Sequence, residues 1–122
     1  MQIRKIKGNF TVCKVLDYTE VDFSADYCFI GKTDNESSLI CLTENAPENT
    51  KERVDGWRAF RIEGSLDFSM IGVLAELSRV LAEEKIELLA VSTYDTDYIF
   101  VKAEKEAKAL SKLGEKGYGV LD

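Results

Sequence analysis

Two short segments of this chain gather charges, hydroxyls and glycine in patterns able to hold a small zwitterion. The first is Gly64–Gly72, with Gly72 at the opening of a helical pattern. A residue without a side chain lets backbone come close to a ligand. The first N–H groups of a helix carry partial positive charge, which suits a carboxylate. The second segment is Ser92–Asp97, STYDTD. Asp95 and Asp97 are two apart, so in an extended ribbon they share one face. A carboxylate there can hold an ammonium group, while Thr93 adds a hydroxyl and Tyr94 a ring. Asp97 is the favoured anion, and Asp95 reads as a turn residue. Each segment also has a plain structural reading. One is a tight turn where helix meets sheet; the other is a hairpin whose carboxylate caps backbone N–H groups.

Other chemistry finds little support. The chain has no histidine, which removes the commonest general base, the usual serine and cysteine triads and most zinc sites. Cys13, Cys28 and Cys41 form no CxxC pattern, and each lies in an apolar run, so they read as buried reduced thiols. No GxGxxG or GxxxxGK[ST] is present, so no dinucleotide or phosphate-loop cofactor is expected. Asp17, Glu20, Asp22 and Asp26 lack the spacing of a calcium loop and read as a solvated segment, so no metal is expected either. The expectation is a protein that binds rather than catalyses.

Charge narrows the partners. Lys+Arg against Asp+Glu is 7 to 10 over residues 1–55 and 9 to 12 over 56–122, for a net charge of −6. Neither half carries the basic footprint of a nucleic-acid binder or attraction to an anionic membrane. No apolar run is long enough to span a bilayer, and MQIRKIKGNF lacks a signal-peptide core, so a cytoplasmic location is expected.

Periodicity supplies the scaffold on which the two segments sit. Gln2–Lys7 and Asn9–Leu16 read as strand-like runs flanking Gly8, a natural position for a turn or a bulge. Tyr27–Lys32 and Ser38–Leu42 read as a pair joined across Thr33-Asp34-Asn35-Glu36. Glu44–Asp55, with Pro47, reads as a polar connection. Trp57–Glu63 alternates as a strand, and Met70 to Leu81 is apolar at spacings of three and four, an amphipathic helix that Asp67 or Ser69 can cap. Ile86–Thr93 reads as a strand covered on both faces and Asp97–Lys102 as its hairpin partner. Glu104–Leu113 reads as a second helix, apolar at Ala103, Ala107, Leu110 and Leu113, and Tyr118–Leu121 as a last strand. The order over residues 56–122 is βαββαβ, an α+β, ferredoxin-like sandwich.

The run from Trp57 to Lys102 resembles the C-terminal unit of small bacterial ACT-domain proteins, related to aspartate kinase regulatory regions and cytosolic arginine sensors. Glu63–Val73 and Ser92–Tyr98 carry the match, with upstream likeness at Phe10–Lys14, Lys32–Cys41 and Ala46–Thr50. Ser65 departs from the pattern, standing where many relatives carry proline. The resemblance implies an incomplete ACT-like unit over 1–55, a complete ACT domain over 56–122, and chains paired as a homodimer. It further implies an amino-acid ligand held by Asp67, Phe68, Ser69, Met70, Ile71, Gly72 and Val73, by Thr93, Tyr94 and Asp97, and by the partner subunit's Glu87 and Leu88. The rival reading is a docking protein that uses the same sheet edge without a ligand.

Overall fold

Seven strands and two α-helices are described by the computed structural model, which covers residues 1–63 and 72–122. The strands are β1 Gln2–Val15, β2 Phe29–Lys32, β3 Ser37–Leu42, β4 Thr50–Glu63, β5 Leu89–Ser92, β6 Asp97–Lys102 and β7 Gly119–Leu121. The helices are α1 Val73–Glu83 and α2 Glu106–Glu115. Contacts divide the chain into two compact units, Gly8–Trp57 and Met1–Lys7 with Arg58–Asp122. Both β1 and β4 pass from one unit to the other, so the first seven residues join the C-terminal unit. The contact division falls at Trp57/Arg58, two residues from the boundary expected at 55/56, with Met1–Lys7 grouped with the C-terminal residues.

The unit of Gly8–Trp57 has strand order β2-β3-β1-β4. Phe10 to Lys14 of β1 pair antiparallel with Leu42 to Ser38, and β2 pairs antiparallel with β3. This is the ferredoxin-like order without its helices. Residues 16–28 stand where the first helix is expected, and Tyr18 and Val21 pack on Cys13, Val15, Leu39 and Cys41. The Tyr18 hydroxyl donates to the Ser38 carbonyl at 2.9 Å, and the Leu16 N–H to the Asn49 carbonyl at 3.0 Å. All three cysteines are free; Cys13 and Cys41 are buried and Cys28 partly so. Gly8 is required locally. Its φ is +104°, and a Cβ there would meet Leu42 Cδ2 at 2.8 Å.

In the C-terminal unit the order is β5-β6-β4-β1-β7, with β7 parallel to β1 through Gln2–Arg4. The N-terminal strand thus enters between the first and last strands of the βαββαβ order. One face of this sheet is apolar: Phe60 and Ile62 of β4, Ile99 and Val101 of β6 and Ile3 of β1 pack with Leu77, Val80, Leu81, Ala109 and Leu113 of the helices. Alternation along each strand puts Arg4, Arg61, Glu63 and Tyr98 on the opposite face.

β1 runs through Gly8 as one strand, where the sequence leaves a turn or a bulge open. Several expectations are corrected. Thr50–Asp55 is not a connection but the start of β4. β5 is shorter than expected and is an edge strand with Ala90 and Ser92 exposed, so it is not covered on both faces. In α2 the buried positions are Ala109 and Leu113, while Ala103 and Ala107 are exposed. The cap of α1 expected from Asp67 or Ser69 lies outside the described residues. At its described start Gly72 adopts a left-handed conformation with φ 91°.

The two units repeat one piece of structure. β2, β3 and a 3-10 turn at Thr43–Asn45 match β5, β6 and a 3-10 turn at Ala103–Lys105, each beginning 60 residues later: 29 to 89, 37 to 97 and 43 to 103. Beyond the turn the two repeats diverge for a local reason. Pro47 forces the preceding residue out of the helical region, and Ala46 is extended at φ −67°, ψ 130°. Glu106, at φ −58° and ψ −49°, continues into α2.

Candidate functional site

The hairpin between β5 and β6 is held by its own threonines. The Thr93 N–H donates to the Thr96 carbonyl at 2.8 Å, and the Thr93 hydroxyl to the same carbonyl at 3.0 Å. Thr96 is buried, and its hydroxyl donates to the Ile62 carbonyl at 2.7 Å. That bond ties the hairpin to the last turn of pleat in β4, which leads into residues 64–71.

Beside this clamp lies an open cleft of about 330 Å³, lined among the described residues by Arg61, Ile62, Glu63, Thr93, Asp95, Thr96 and Tyr98. Arg61 donates from Nη1 to the Tyr98 hydroxyl at 3.2 Å and lies 6.0 Å from the centroid of that ring. Its Nε approaches Glu63 Oε2 at 3.4 Å, and Arg4 Nε approaches the same oxygen at 3.2 Å. The bond to Tyr98, then the contact with Glu63, raises the Arg61 pKa further, so it stays a cation. Burial pushes Glu63 upward, but the hydrogen bonds and charges of Arg61 and Arg4 outweigh it and hold the carboxyl below its usual range. Two guanidinium groups thus share one carboxylate oxygen, and Asp95 supplies a second anion at the rim.

Of the residues expected at the site, Thr93 lines this cleft. Asp95, read from sequence as a turn residue, lines it as well, within a bend rather than an extended strand. Asp97 opens β6 and accepts a 2.5 Å hydrogen bond from the Ser92 hydroxyl; it is not among the lining residues. Tyr94 stands fully exposed at the tip. Gly72 and Val73 begin α1, Glu87 is exposed, and Leu88 packs on the core before β5 starts. Asp67, Phe68, Ser69, Met70 and Ile71 lie outside the described residues. Sequence reasoning missed Arg61, Glu63, Thr96 and Tyr98. Alternation in Trp57–Glu63 carried the signal, because it sets Arg61 and Glu63 on the face opposite Phe60 and Ile62. Among the described residues no group of three His, Cys, Asp or Glu side chains could hold a metal ion.

The first hairpin has the same turn but not the same side chains. The Thr33 N–H donates to the Glu36 carbonyl at 2.9 Å, as Thr93 does to Thr96. Sixty residues earlier, Asn35 stands in place of Asp95 and Ser38 in place of Tyr98, and the Ser38 hydroxyl is engaged by Glu36 Oε1.

Comparison with known proteins places this architecture. The chain is similar over 98% of its length to a structurally solved protein from Agobacterium tumefaciens, covering 91% of that chain with 22% identity and a TM-score of 0.88. A Vibrio cholerae protein, described as a possible transport protein of unknown function, is similar over 93% of this chain and 88% of its own, at 21% identity and a TM-score of 0.73. The ligand-free regulatory subunit of aspartate kinase from Thermus thermophilus matches 94% of this chain and 96% of its own, at 10% identity and a TM-score of 0.66. These likenesses speak for the fold. No curated protein sequence matches at a significant level. The family model of the ACT domain matches residues 52–115, more than half of the chain, and the chain belongs to the ACT domain family.

Proposed function

We propose that this protein is a regulatory module that binds one free amino acid per chain, in the cleft between the end of β4 and the β5–β6 hairpin, and that it does not catalyse. ACT domains are typically amino-acid-binding regulatory domains. The observation that carries the reading is the charge arrangement: Arg61, Glu63 and Asp95 line one open cleft. An α-amino acid carries both charges, and the cleft offers a partner for each. Because Arg4 also holds Glu63, Arg61 can turn toward a ligand carboxylate without leaving Glu63 unpaired. Asp95 takes the ammonium group.

A homodimer belongs to the same proposal. The C-terminal unit has two edge strands, β5 and β7. β7 has three residues and starts with glycine, whereas β5, Leu-Ala-Val-Ser, has neither charge, glycine nor proline. Such an edge lacks the usual protections against pairing. Antiparallel pairing of β5 with its copy would bring the partner subunit's Glu87 and the partner subunit's Leu88, which precede β5, toward the residues that follow it. The rival, a docking protein without a ligand, would use this same edge.

A thermal-shift screen of the twenty amino acids, run on the wild type and on Arg61→Met and Asp95→Asn, tests the reading. One or a few amino acids should raise the wild-type melting temperature and leave both variants unmoved. No stabilisation by any amino acid favours the docking protein.

A further inference from the structure

A second concave site lies in the C-terminal unit and shares no lining residue with the hairpin cleft. Lys5, Ile6 and Lys7 of β1, Arg58 of β4 and Asp122 line a cleft of about 240 Å³. The chain as a whole is acidic, with 16 Lys+Arg against 22 Asp+Glu, yet three cations converge here on a single acidic lining residue. The strands place them. β1 and β4 are neighbours in the sheet, and Lys5 and Lys7, two apart on β1, share a face. Arg58 is oriented by Glu106, the first residue of α2, with Nε 3.3 Å from Oε2 and both side chains mostly covered. Lys5 reaches Asp122 Oδ1 only at 3.8 Å, and that carboxylate is 94% exposed, so the contact neutralises little.

Like charges gathered in one concavity repel one another, and an anion seated among them relieves that repulsion. With Arg58 balanced by Glu106, the two lysines still match the charge of a dianion better than that of a single carboxylate. Two ammonium groups beside a guanidinium suit tetrahedral oxygens, the lysines as point charges and the arginine as a planar cation fixed in place by Glu106. The cleft is smaller than the roughly 300–1,000 Å³ of sites for drug-sized ligands. We infer that Lys5, Lys7 and Arg58 form a site for a phosphate group, either inorganic phosphate or the phosphate end of a small monoester. This inference stands apart from the amino-acid reading, and either can fail without the other.

The test uses the full chain and inorganic phosphate, titrated at constant ionic strength against chloride and followed by amide NMR. Saturable shifts centred on residues 5–7 and 58 are expected. Lys5→Gln with Lys7→Gln should weaken binding about tenfold or more, the equivalent of losing at least one charge-assisted hydrogen bond, with the melting temperature little changed. Asp95→Asn should leave phosphate binding intact. Arg58→Gln leaves Glu106 without its partner, so the lysine pair is the decisive variant. Absence of saturation, shifts centred elsewhere, or wild-type affinity in the lysine double variant would overturn the site. A separate arm uses vesicles of phosphatidylcholine with phosphatidic acid: binding to these without binding to phosphate would make the patch a membrane-surface contact and overturn the inference.

Discussion

Replacing Thr96 by valine tests the clamp that holds the hairpin to β4. Valine keeps the branched shape, so packing is preserved and the change removes one hydroxyl. That hydroxyl donates to the Ile62 carbonyl at 2.7 Å, and the residue is only 9% exposed. Water cannot easily take its place. A typical hydrogen bond contributes about 0.5–1.5 kcal/mol net, and a buried acceptor stripped of its donor costs about 1–3 kcal/mol. Thr96→Val should therefore destabilise by about 1–3 kcal/mol. Thr93 offers the contrast. Its hydroxyl donates to the Thr96 carbonyl at 3.0 Å, but the residue is exposed and water can replace it. Thr93→Val should cost no more than about 0.5 kcal/mol, the range of most surface changes, and Thr96→Ser should retain most of the wild-type stability. Urea unfolding measures all three, with the slope held constant as evidence that the unfolded state has not changed. A Thr96→Val variant within about 0.5 kcal/mol of wild type, or a Thr93→Val variant that costs more, would mean that the buried hydroxyl does not clamp the hairpin.

Acid should weaken the fold. Glu63, Asp17, Asp22 and Asp55 all sit below their usual pKa in the folded chain, so the stability they add is complete above the unfolded values of 3.8 to 4.5 and disappears as pH falls through the lower folded values. Circular dichroism melts between pH 6 and 3 should show melting temperatures falling at the acid end; a flat profile would contradict the assignments. The thiols behave in the opposite sense. Burial, and then the neighbouring Cys13 and Cys28, push Cys41 up to about 11, so its contribution holds below pH 9 and is lost as pH climbs toward 11. Cys13 and Cys41 should accordingly label slowly with a thiol reagent at pH 7.5, and fast labelling of either without unfolding would count against their burial. On the proposed β5-to-β5 homodimer, Val91→Lys puts a charge on the unprotected edge and should lower the mass seen by light scattering from that of a dimer to the 13.7 kDa of one chain; a wild type of 13.7 kDa would refute the homodimer, and a variant that stays dimeric would refute pairing through β5.

Legibility of the fold varies with how strongly one face is buried. α1 is visible from Leu77, Val80 and Leu81, and β6 from Ile99 and Val101, because each meets the core on a regular period. The start of β4 is not visible. Lys51, Glu52, Arg53 and Asp55 look like a polar linker, yet charged side chains are what an edge strand carries, and this stretch is an edge of the first unit. At Gly8 the sequence leaves a turn or a bulge open, and β1 runs through it as one strand with φ +104° there. In α2 the choice of Ala107 over Ala109 fails because alanine and solvent-facing lysine alternate too weakly to set a helical phase. At the candidate site the threonine and the carboxylates of the hairpin are legible as chemistry. Arg61 and Tyr98 are not, because only the pairing of β4 with β6 brings them into one cleft.

The amino-acid reading requires that each chain hold one ligand through Arg61 and Asp95, with no equivalent site at the first hairpin, where Asn35 and Ser38 stand instead. Titration calorimetry with the amino acid chosen by thermal shift measures this. One ligand per chain is expected, with at least about a tenfold loss of affinity in Arg61→Met and in Asp95→Asn, as follows when a hydrogen bond to a charged group worth about 1.5–3 kcal/mol is removed. Asp97→Asn should bind as the wild type does, since Asp97 is taken by Ser92. Two ligands per chain, or normal binding in Arg61→Met together with loss in Asp97→Asn, would sink the reading.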